Sequence, residues 1–502
     1  MNNAPGIPVP PASAQVHETH SGVVFLYGER AYKVKKSLRT DFLDFSTPQL
    51  RERACARELE LNRRLAPDVY LGVAHLSSPE GGPVEPVLIM ARMPENRRLS
   101  ILLTSPNQTP ATLGTLVRLL VGFHDGAHRG PEIDRAGTDT ALRARWRSLL
   151  DPLHDGPDDL VDPAVLARID RQAMRYLDGR TPLLDSRIAQ GRIVDGHGDL
   201  LAEDIFELPD GFRVLDCLDF DDALRYVDRL DDIAFLAMDF EFLGQAELAD
   251  RFIDDYLRES ADPAPTSLRD HYIAYRATVR AKVDLIRAGQ GDPTAAQRLR
   301  AHLCLAADRL ERGTVRLTLV GGLPGTGKST IATELSARTG AVVVSSDHVR
   351  KELAQVGTVG GPVGQFGAGR YCDANRARVY DELLWRAEVL LGAGVSVILD
   401  ASWTDPEQRR RAAALAADTA ADLVALHCVC PTEISHRRIR QRRIHESDAT
   451  TDIADTMAAT TPAWPEAVII DTTGALADSA TAASRAWHAT TDSVTEPIEY
   501  TA

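Results

Sequence analysis

Gly322-Leu-Pro-Gly-Thr-Gly327-Lys328-Ser329 in this 502-residue chain matches the spacing G-x-x-x-x-G-K-[ST]. In such a loop, successive backbone N–H groups and a helix N-terminus cradle phosphates. Gly322, Gly325, Thr326, Gly327, Lys328, Ser329 and Thr330 are the candidate cradle. The Lys328 ammonium would reach the β- and γ-phosphates of ATP, and the Ser329 hydroxyl would ligate Mg²⁺. A second set is scattered over the first half. Lys33 and Lys35 lie two residues apart, followed by Glu58, the run His197-Gly198-Asp199, then Asp204, Asp216 and Asp219. No member of that set is specific alone; its order and spacing carry the signal.

The elements that must position these residues are legible around them. VRLTLVG (315–321) is a short apolar strand, and STIATELSART after the loop is a helix ending before Gly340. Strand, glycine loop and helix is the context a phosphate cradle requires. AVVVSSDHVRKEL (341–353) predicts a strand ending in Asp347 and then a helix; GVSVILDASW (394–403) predicts a strand ending in Asp400. LVALHCVC (423–430) is a third, followed by HRRIRQRR. This βαβ series predicts a parallel sheet, with functional residues at the carboxyl ends of its strands. Either aspartate could instead be a helix cap, and the arginine run a solvated helix face.

In the first half, VVFLYGERAYKVKK (23–36) predicts two strands around a Gly-Glu turn, with Lys33 and Lys35 on one face. RERACARELELNRRLA (51–66) predicts a helix bearing Glu58, and VEPVLIMARM (84–93) a buried strand ending at Pro94 as a hinge between lobes. IVDGHGDLLAEDIFEL (193–208) and FRVLDCLDFDD (212–222) flank a Pro-Asp-Gly turn. The segments 230–257 and 269–289 have apolar residues at helical spacing, and 486–502 is a polar, Thr-rich tail expected to fray.

The second half resembles the small P-loop kinase branch that includes gluconate kinase, polynucleotide kinase and zeta toxins, over roughly 314–475. The resemblance implies Asp347 as the base facing an acceptor hydroxyl and Arg350 as an acceptor or phosphate contact. It implies Asp400 as a Mg²⁺ position acting through water, and the run Arg437, Arg438, Arg440, Arg442 and Arg443 as a lid. The first half resembles the protein-kinase-like fold in its aminoglycoside phosphotransferase and choline kinase branch. That implies Lys33, with Lys35 as alternate, on the α- and β-phosphates, and Glu58 as the lysine's helix partner. It also implies Asp199 as base, His197 bracing its loop, Asp216 on Mg²⁺ and Asp219 as a further carboxylate. Where the family usually has asparagine, five residues after the base, this chain has Asp204, and the usual H-G-D-L-H is H-G-D-L-L. The order of the halves, with ETHSGVVFLYG, FLDFST and LNRRLAPDVYLG, is similar to a bacterial fusion family described as aminoglycoside-phosphotransferase-like proteins with an ATP-binding domain.

The expected architecture is α/β and α+β: a bilobal kinase-like unit (1–94 and 95–312), then a P-loop parallel-sheet domain (313–485) and a tail (486–502). A 44% hydrophobic and 26% charged composition excludes wholesale disorder. The net charge of −15 speaks against a dedicated nucleic-acid or anionic-membrane binder. Six scattered cysteines give no disulfide framework and no metal set; they are read as reduced and mostly buried. The first twenty residues lack the pattern of a signal peptide and no run approaches a membrane span, so the expectation is a cytoplasmic protein. Only six of 57 basic residues are lysines, which draws attention to Lys33, Lys35, Lys36 and Lys328; for Lys282 no chemistry is seen. The combined expectation is an ATP- and Mg²⁺-dependent phosphotransferase acting on a hydroxyl of a small metabolite. The alternatives are a regulatory ATPase with an N-terminal pseudokinase, or a polynucleotide or nucleotide-sugar kinase using the arginine lid. The acceptor and the oligomeric state are not written in the sequence.

Overall fold

The computed structural model describes residues 14–18, 22–39, 44–77, 84–104, 113–360, 372–441 and 450–489. They fall into two compact units. The first draws on 1–145, 187–264 and 272–306, the second on 146–186, 265–271 and 307–502. Residues 146–186 thus group with the P-loop half, although they precede the H-G-D segment in sequence.

The first unit opens on an antiparallel sheet of β1 (Gln15–Glu18), β2 (Gly22–Tyr27), β3 (Arg30–Lys35), β4 (Tyr70–Leu76) and β5 (Glu85–Ala91), in the order β1-β2-β3-β5-β4. β2 and β3 form the hairpin expected around Gly28-Glu29. The helix Pro48–Asn62 crosses to this sheet; Pro48 starts it, and the Thr47 hydroxyl caps it by accepting from the Leu50 N–H. Ala66, Val69, Tyr70, Leu88, Phe206 and Leu215 make the core beneath.

Two small antiparallel pairs carry the H-G-D region: β6 (Ile193–Asp195) with β9 (Tyr226–Asp228), and β7 (Ile205–Leu208) with β8 (Gly211–Val214). The helical stretch predicted over 230–257 is two helices, Arg229–Phe242 and Ala246–Glu259. The break falls at Gly244, whose φ of +82° suits glycine.

In the second unit, β10 (Arg316–Gly321), β11 (Val342–Ser345), β12 (Val397–Asp400), β13 (Asp422–Val429) and β14 (Val468–Asp471) form one parallel sheet, ordered β11-β12-β10-β13-β14. Every residue of central β10 is buried, the polar Arg316 and Thr318 included, as befits a parallel strand covered on both faces. The helix Leu476–Ala489 packs its buried Trp487 into the sheet's core, so order extends past residue 486, where fraying was expected; 490–502 lie outside the described residues. All six cysteines are free, but burial is confined to Cys55, Cys217 and Cys428; Cys304 is exposed.

Candidate active sites

In the first unit the hairpin strand β3, the helix Pro48–Asn62 and the loop after β8 deliver one charge cluster. Lys33 Nζ donates to Glu58 Oε1 at 2.8 Å and to Asp216 Oδ1 at 3.2 Å. Lys35 Nζ lies 2.8 Å from Glu58 Oε2 and donates to Asp219 Oδ2 at 2.9 Å. Lys35 is therefore no alternate to Lys33: Glu58 holds both lysines, and each lysine takes its own aspartate. Period-two alternation put both ammoniums on one face, and one carboxylate with two oxygens suffices for two lysines. Burial would raise the Glu58 carboxyl, yet the two ammoniums hold it below the usual range. Burial would lower Lys33, and Asp216 and Glu58 drive it well above its ordinary value.

Asp216 sits at φ +60°, a left-handed conformation uncommon outside glycine. Tyr70 Oη accepts the Asp216 N–H at 3.2 Å, and Asn62 Oδ1 accepts the Cys217 N–H at 2.8 Å. Asn62 Nδ2 in turn donates to the Glu58 carbonyl, 2.9 Å, so one helix end locks both the glutamate and the aspartate loop.

The H-G-D loop is held from below by Asp232, in the first turn of the helix Arg229–Phe242. Its carboxylate accepts the His197 N–H at 2.7 Å and the Gly198 N–H at 2.8 Å. It also accepts from His124 Nε2 at 3.1 Å, while the Tyr256 hydroxyl bonds His124 Nδ1 at 2.8 Å. His197 braces the loop as expected: its Nε2 donates to the Leu215 carbonyl at 3.2 Å, tying the Asp199 loop to the Asp216 loop. Burial holds this imidazole down at about 4, so it stays neutral. Arg276 clamps Asp231 through Nε and Nη2, at 2.7 and 2.9 Å, and donates to the Gly198 carbonyl. Asp199 is pushed up to about 7, first by burial and then by Asp216, against Arg280 and Arg276. Asp204 is raised well above the carboxylate range by burial and by Asp216, Glu203 and Asp199. Among the described residues no three His, Cys, Asp or Glu side chains converge as a metal set. Asp219 is turned to Lys35 rather than grouped with Asp204 and Asp216. Asp232, His124, Asn62 and Arg276 carry no motif and were missed; only their later contacts reveal them.

The second unit's loop lines a cavity of about 710 Å³, shared by Gly325, Gly327, Lys328, Ser329 and Thr330 with Asp347, Asp400 and Arg438. Gly322 and Gly325 have φ of +143° and +82°, and a Cβ on either would stand 2.6 Å from a backbone carbonyl, of Cys428 and of Ser435 respectively. The loop therefore packs against β13 and the arginine helix as closely as glycine allows. Ser329 Oγ donates to Asp400 Oδ2 at 2.7 Å, and Asp400 Oδ1 is buried with no hydrogen-bond partner. Asp400 ends β12 as predicted, and its carboxyl is raised by burial against the pull of Lys328 and Ser329.

The strand ends at Ser345, two residues before the predicted Asp347, which instead falls in the first turn of the helix Ser346–Gln355 and lines the cavity. Arg350, one turn on, donates to Asp347 Oδ1 at 2.5 Å; it does not itself line the cavity. Of the arginine run, the helix Thr432–Gln441 aims Arg438 at the loop, where it donates to the Thr472 carbonyl at 2.7 Å. Arg437 and Arg440, expected to contact nucleotide, are exposed on other faces of that helix and line no part of the cavity. The 3.6-residue period allows one of these three to face inward. Arg442 and Arg443 lie outside the described residues. His348, Lys351 and Thr472 also line the cavity and were not singled out by any motif.

Two family models match the chain: a phosphotransferase enzyme family over residues 27–271 and an AAA domain over 317–463. The protein named "Uncharacterized protein Rv2004c" of Mycobacterium tuberculosis is 47% identical over 459 residues, covering 91% of this chain and 92% of its own length. A Mycobacterium bovis protein, "Uncharacterized protein Mb2027c", matches to the same extent. The chain belongs to their family. Among solved structures, a choline/ethanolamine kinase family protein from Mesorhizobium loti is 15% identical, covering 60% of this chain and 95% of its own, with a TM-score of 0.38. A gluconokinase from Sinorhizobium meliloti is 15% identical, covering 36% of this chain and 95% of its own, with a TM-score of 0.28. The first unit is aminoglycoside-phosphotransferase-like, the second P-loop kinase-like, and the protein is a kinase-type phosphotransferase. No helix among the described residues is long and apolar enough to cross a membrane.

Proposed function

We propose that each unit binds Mg²⁺-ATP and transfers its γ-phosphoryl group to a hydroxyl of a small metabolite. The observation that supports this most is the Glu58–Lys33–Asp216 chain, because it brings three residues from segments far apart in sequence together in an arrangement suited to phosphate and Mg²⁺. Magnesium takes one or two carboxylates and fills its shell with water and phosphate oxygens, so Asp216 with Asp204 is a sufficient protein set. In the second unit the orphaned, buried Asp400 Oδ1 beside the Ser329 hydroxyl has the donor chemistry of a hydrated Mg²⁺. Bound there, the ion would neutralise charge developing on the β- and γ-phosphates.

The chain's own residues do the rest. Lys33, fixed by Glu58, presents its ammonium to the α- and β-phosphates, and Lys328 presents its own to the β- and γ-phosphates. Asp199, near neutrality in proton affinity, accepts the acceptor's hydroxyl proton as the oxygen attacks phosphorus. Asp347 takes that role in the second unit, with Arg350 fixing its carboxylate. Asp204 in place of asparagine adds a carboxylate near the γ-phosphate. A Mg²⁺ ion held there, together with Lys33, would offset its charge and leave it compatible with transfer.

A regulatory ATPase with an inert first unit is the reading that Asp204 favours. The test is phosphoryl transfer from [γ-³²P]ATP to a panel of small hydroxyl compounds, with Asp199→Asn and Asp347→Asn variants. Acceptor-dependent transfer lost in one variant supports the proposal. Acceptor-independent ATP hydrolysis unaffected by Asp199→Asn overturns it for the first unit.

A further inference from the structure

The second unit holds another cavity, of about 670 Å³, that none of the phosphoryl-transfer residues lines. Its wall is one face of the helix Pro163–Asp178, on which Arg168, Arg171 and Arg175 recur at intervals of three and four, together with Arg180 just past the helix end. Four arginines against the aspartates 178 and 422 leave the cavity basic, in a chain whose net charge is −15.

Two of these cations, Arg168 and Arg180, are accounted for only in part. Arg168 approaches Glu311 at 3.8 Å, and its buried Nε has no partner. Arg175 Nη2 is paired with Asp422 at 3.0 Å. Arg180 has no solvent exposure at all, yet among the described residues no carboxylate pairs with it; its guanidinium lies over the Tyr176 ring, 5.5 Å from the centroid. Its Nη1 donates to the carbonyls of Gly179, Leu391 and Thr419, a clamp on three helix C-termini. That clamp uses one nitrogen; Nε and Nη2 are buried with no partner. Burial and Arg175 accordingly pull the Arg180 guanidinium below its ordinary value. A buried cation with two vacant donors beside further arginines is expensive unless an anion completes it. The vacant fork suits two oxygens of one tetrahedral or planar anion. The volume is that of a small-molecule site. Met174, Leu310 and Val315 supply apolar wall, and Gln172 Oε1, also buried without a partner, offers an acceptor for a ligand hydroxyl.

We propose that this cavity is a binding site for a small phosphorylated hydroxyl compound, its phosphate held by Arg180 and the arginine face of the helix Pro163–Asp178. It is distinct from the phosphate-loop cavity and contains no residue of the Lys33–Glu58–Asp216 cluster, and its occupancy does not depend on whether either unit transfers phosphate.

The test uses the full chain with both nucleotide sites saturated by a non-hydrolysable ATP analogue and Mg²⁺. Ribose 5-phosphate, glycerol 3-phosphate and inorganic phosphate are titrated by calorimetry. The expected result is one saturable site for at least one phosphate ester, with Kd below about 1 mM. Arg171→Glu, on an exposed position that leaves folding intact, should weaken it at least tenfold, and Arg180→Met should abolish it. Lys33→Ala and Lys328→Ala should leave it unchanged. Absence of saturable binding by all three probes, or binding undiminished in Arg171→Glu, overturns the proposal. Should Arg180→Met fail to fold, the Arg171→Glu result decides.

Discussion

Glu58→Gln is the substitution that probes the first unit's charge cluster most sharply. Glu58 is 1% exposed and is the one carboxylate shared by Lys33 and Lys35, whose side chains are 18% and 5% exposed. Removing one partner of a buried ion pair costs about 3–5 kcal/mol. Asp216 and Asp219 stay within 3.2 and 2.9 Å of the two lysines, so the lower end applies, about 3 kcal/mol or roughly 150-fold in the opening equilibrium. All five tryptophans (146, 385, 403, 464 and 487) belong to the second unit, so their fluorescence reports on that unit alone. Hydrogen exchange of peptides covering 22–35 and 48–62 reads the first. The most protected amides there should exchange roughly 150-fold faster in Glu58→Gln. Glu60→Gln, an exposed neighbour on the same helix, should change stability by less than about 0.5 kcal/mol. The Glu58 carboxyl is held below its ordinary 4.5, so its contribution is complete above that pH and is lost as pH falls further. The gap between wild type and Glu58→Gln must therefore narrow on acidification below about pH 4.5. Equal protection in the two variants at pH 7, or a gap that widens in acid, would refute the shared-carboxylate geometry.

Other expectations follow from the same structure. Asp199→Asn should leave ATP binding intact and lower transfer by the first unit by about 10²–10⁴-fold. Because a base must be ionised and Asp199 sits at about 7, wild-type transfer should rise with pH through that value and then level off in a steady-state pH profile. Asp204→Asn should raise thermal stability at pH 8 but not at pH 3. A carboxyl raised in the folded state costs stability once pH exceeds its unfolded value, and nothing below it. Gly325→Ala, at φ +82° and 2.6 Å from the Ser435 carbonyl, should destabilise the second unit by at least about 1–2 kcal/mol, read from tryptophan fluorescence in urea.

What the sequence disclosed and what it hid follow one physical division. The phosphate loop was legible because strand, glycines, lysine and helix are contiguous, and local backbone geometry dictates their residue types. Asp400 was legible for the same reason, being the last residue of an apolar strand. Lys33, Glu58, Asp199 and Asp216 could be ordered along the chain, but the double grip of Glu58 on Lys33 and Lys35 needs a side-chain geometry that strand alternation leaves open. Asp232, His124 and Arg276 support the H-G-D loop from 34 to 78 residues away, and no spacing announces such contacts. Arg438 could not be told from Arg437 and Arg440 until the helix face was fixed. The grouping of 146–186 with the P-loop half, and the buried Arg180 within it, are tertiary facts with no local signature.

The most direct test of two nucleotide-binding units is a count. Calorimetric titration of the full chain with a non-hydrolysable ATP analogue and Mg²⁺ should give two molecules bound per chain. Lys328→Ala should remove one of them, since losing a charged phosphate contact costs about 1.5–3 kcal/mol, and Asp216→Ala should remove the other. One molecule per wild-type chain, falling to none in Lys328→Ala and unaltered in Asp216→Ala, would contradict nucleotide binding by the first unit.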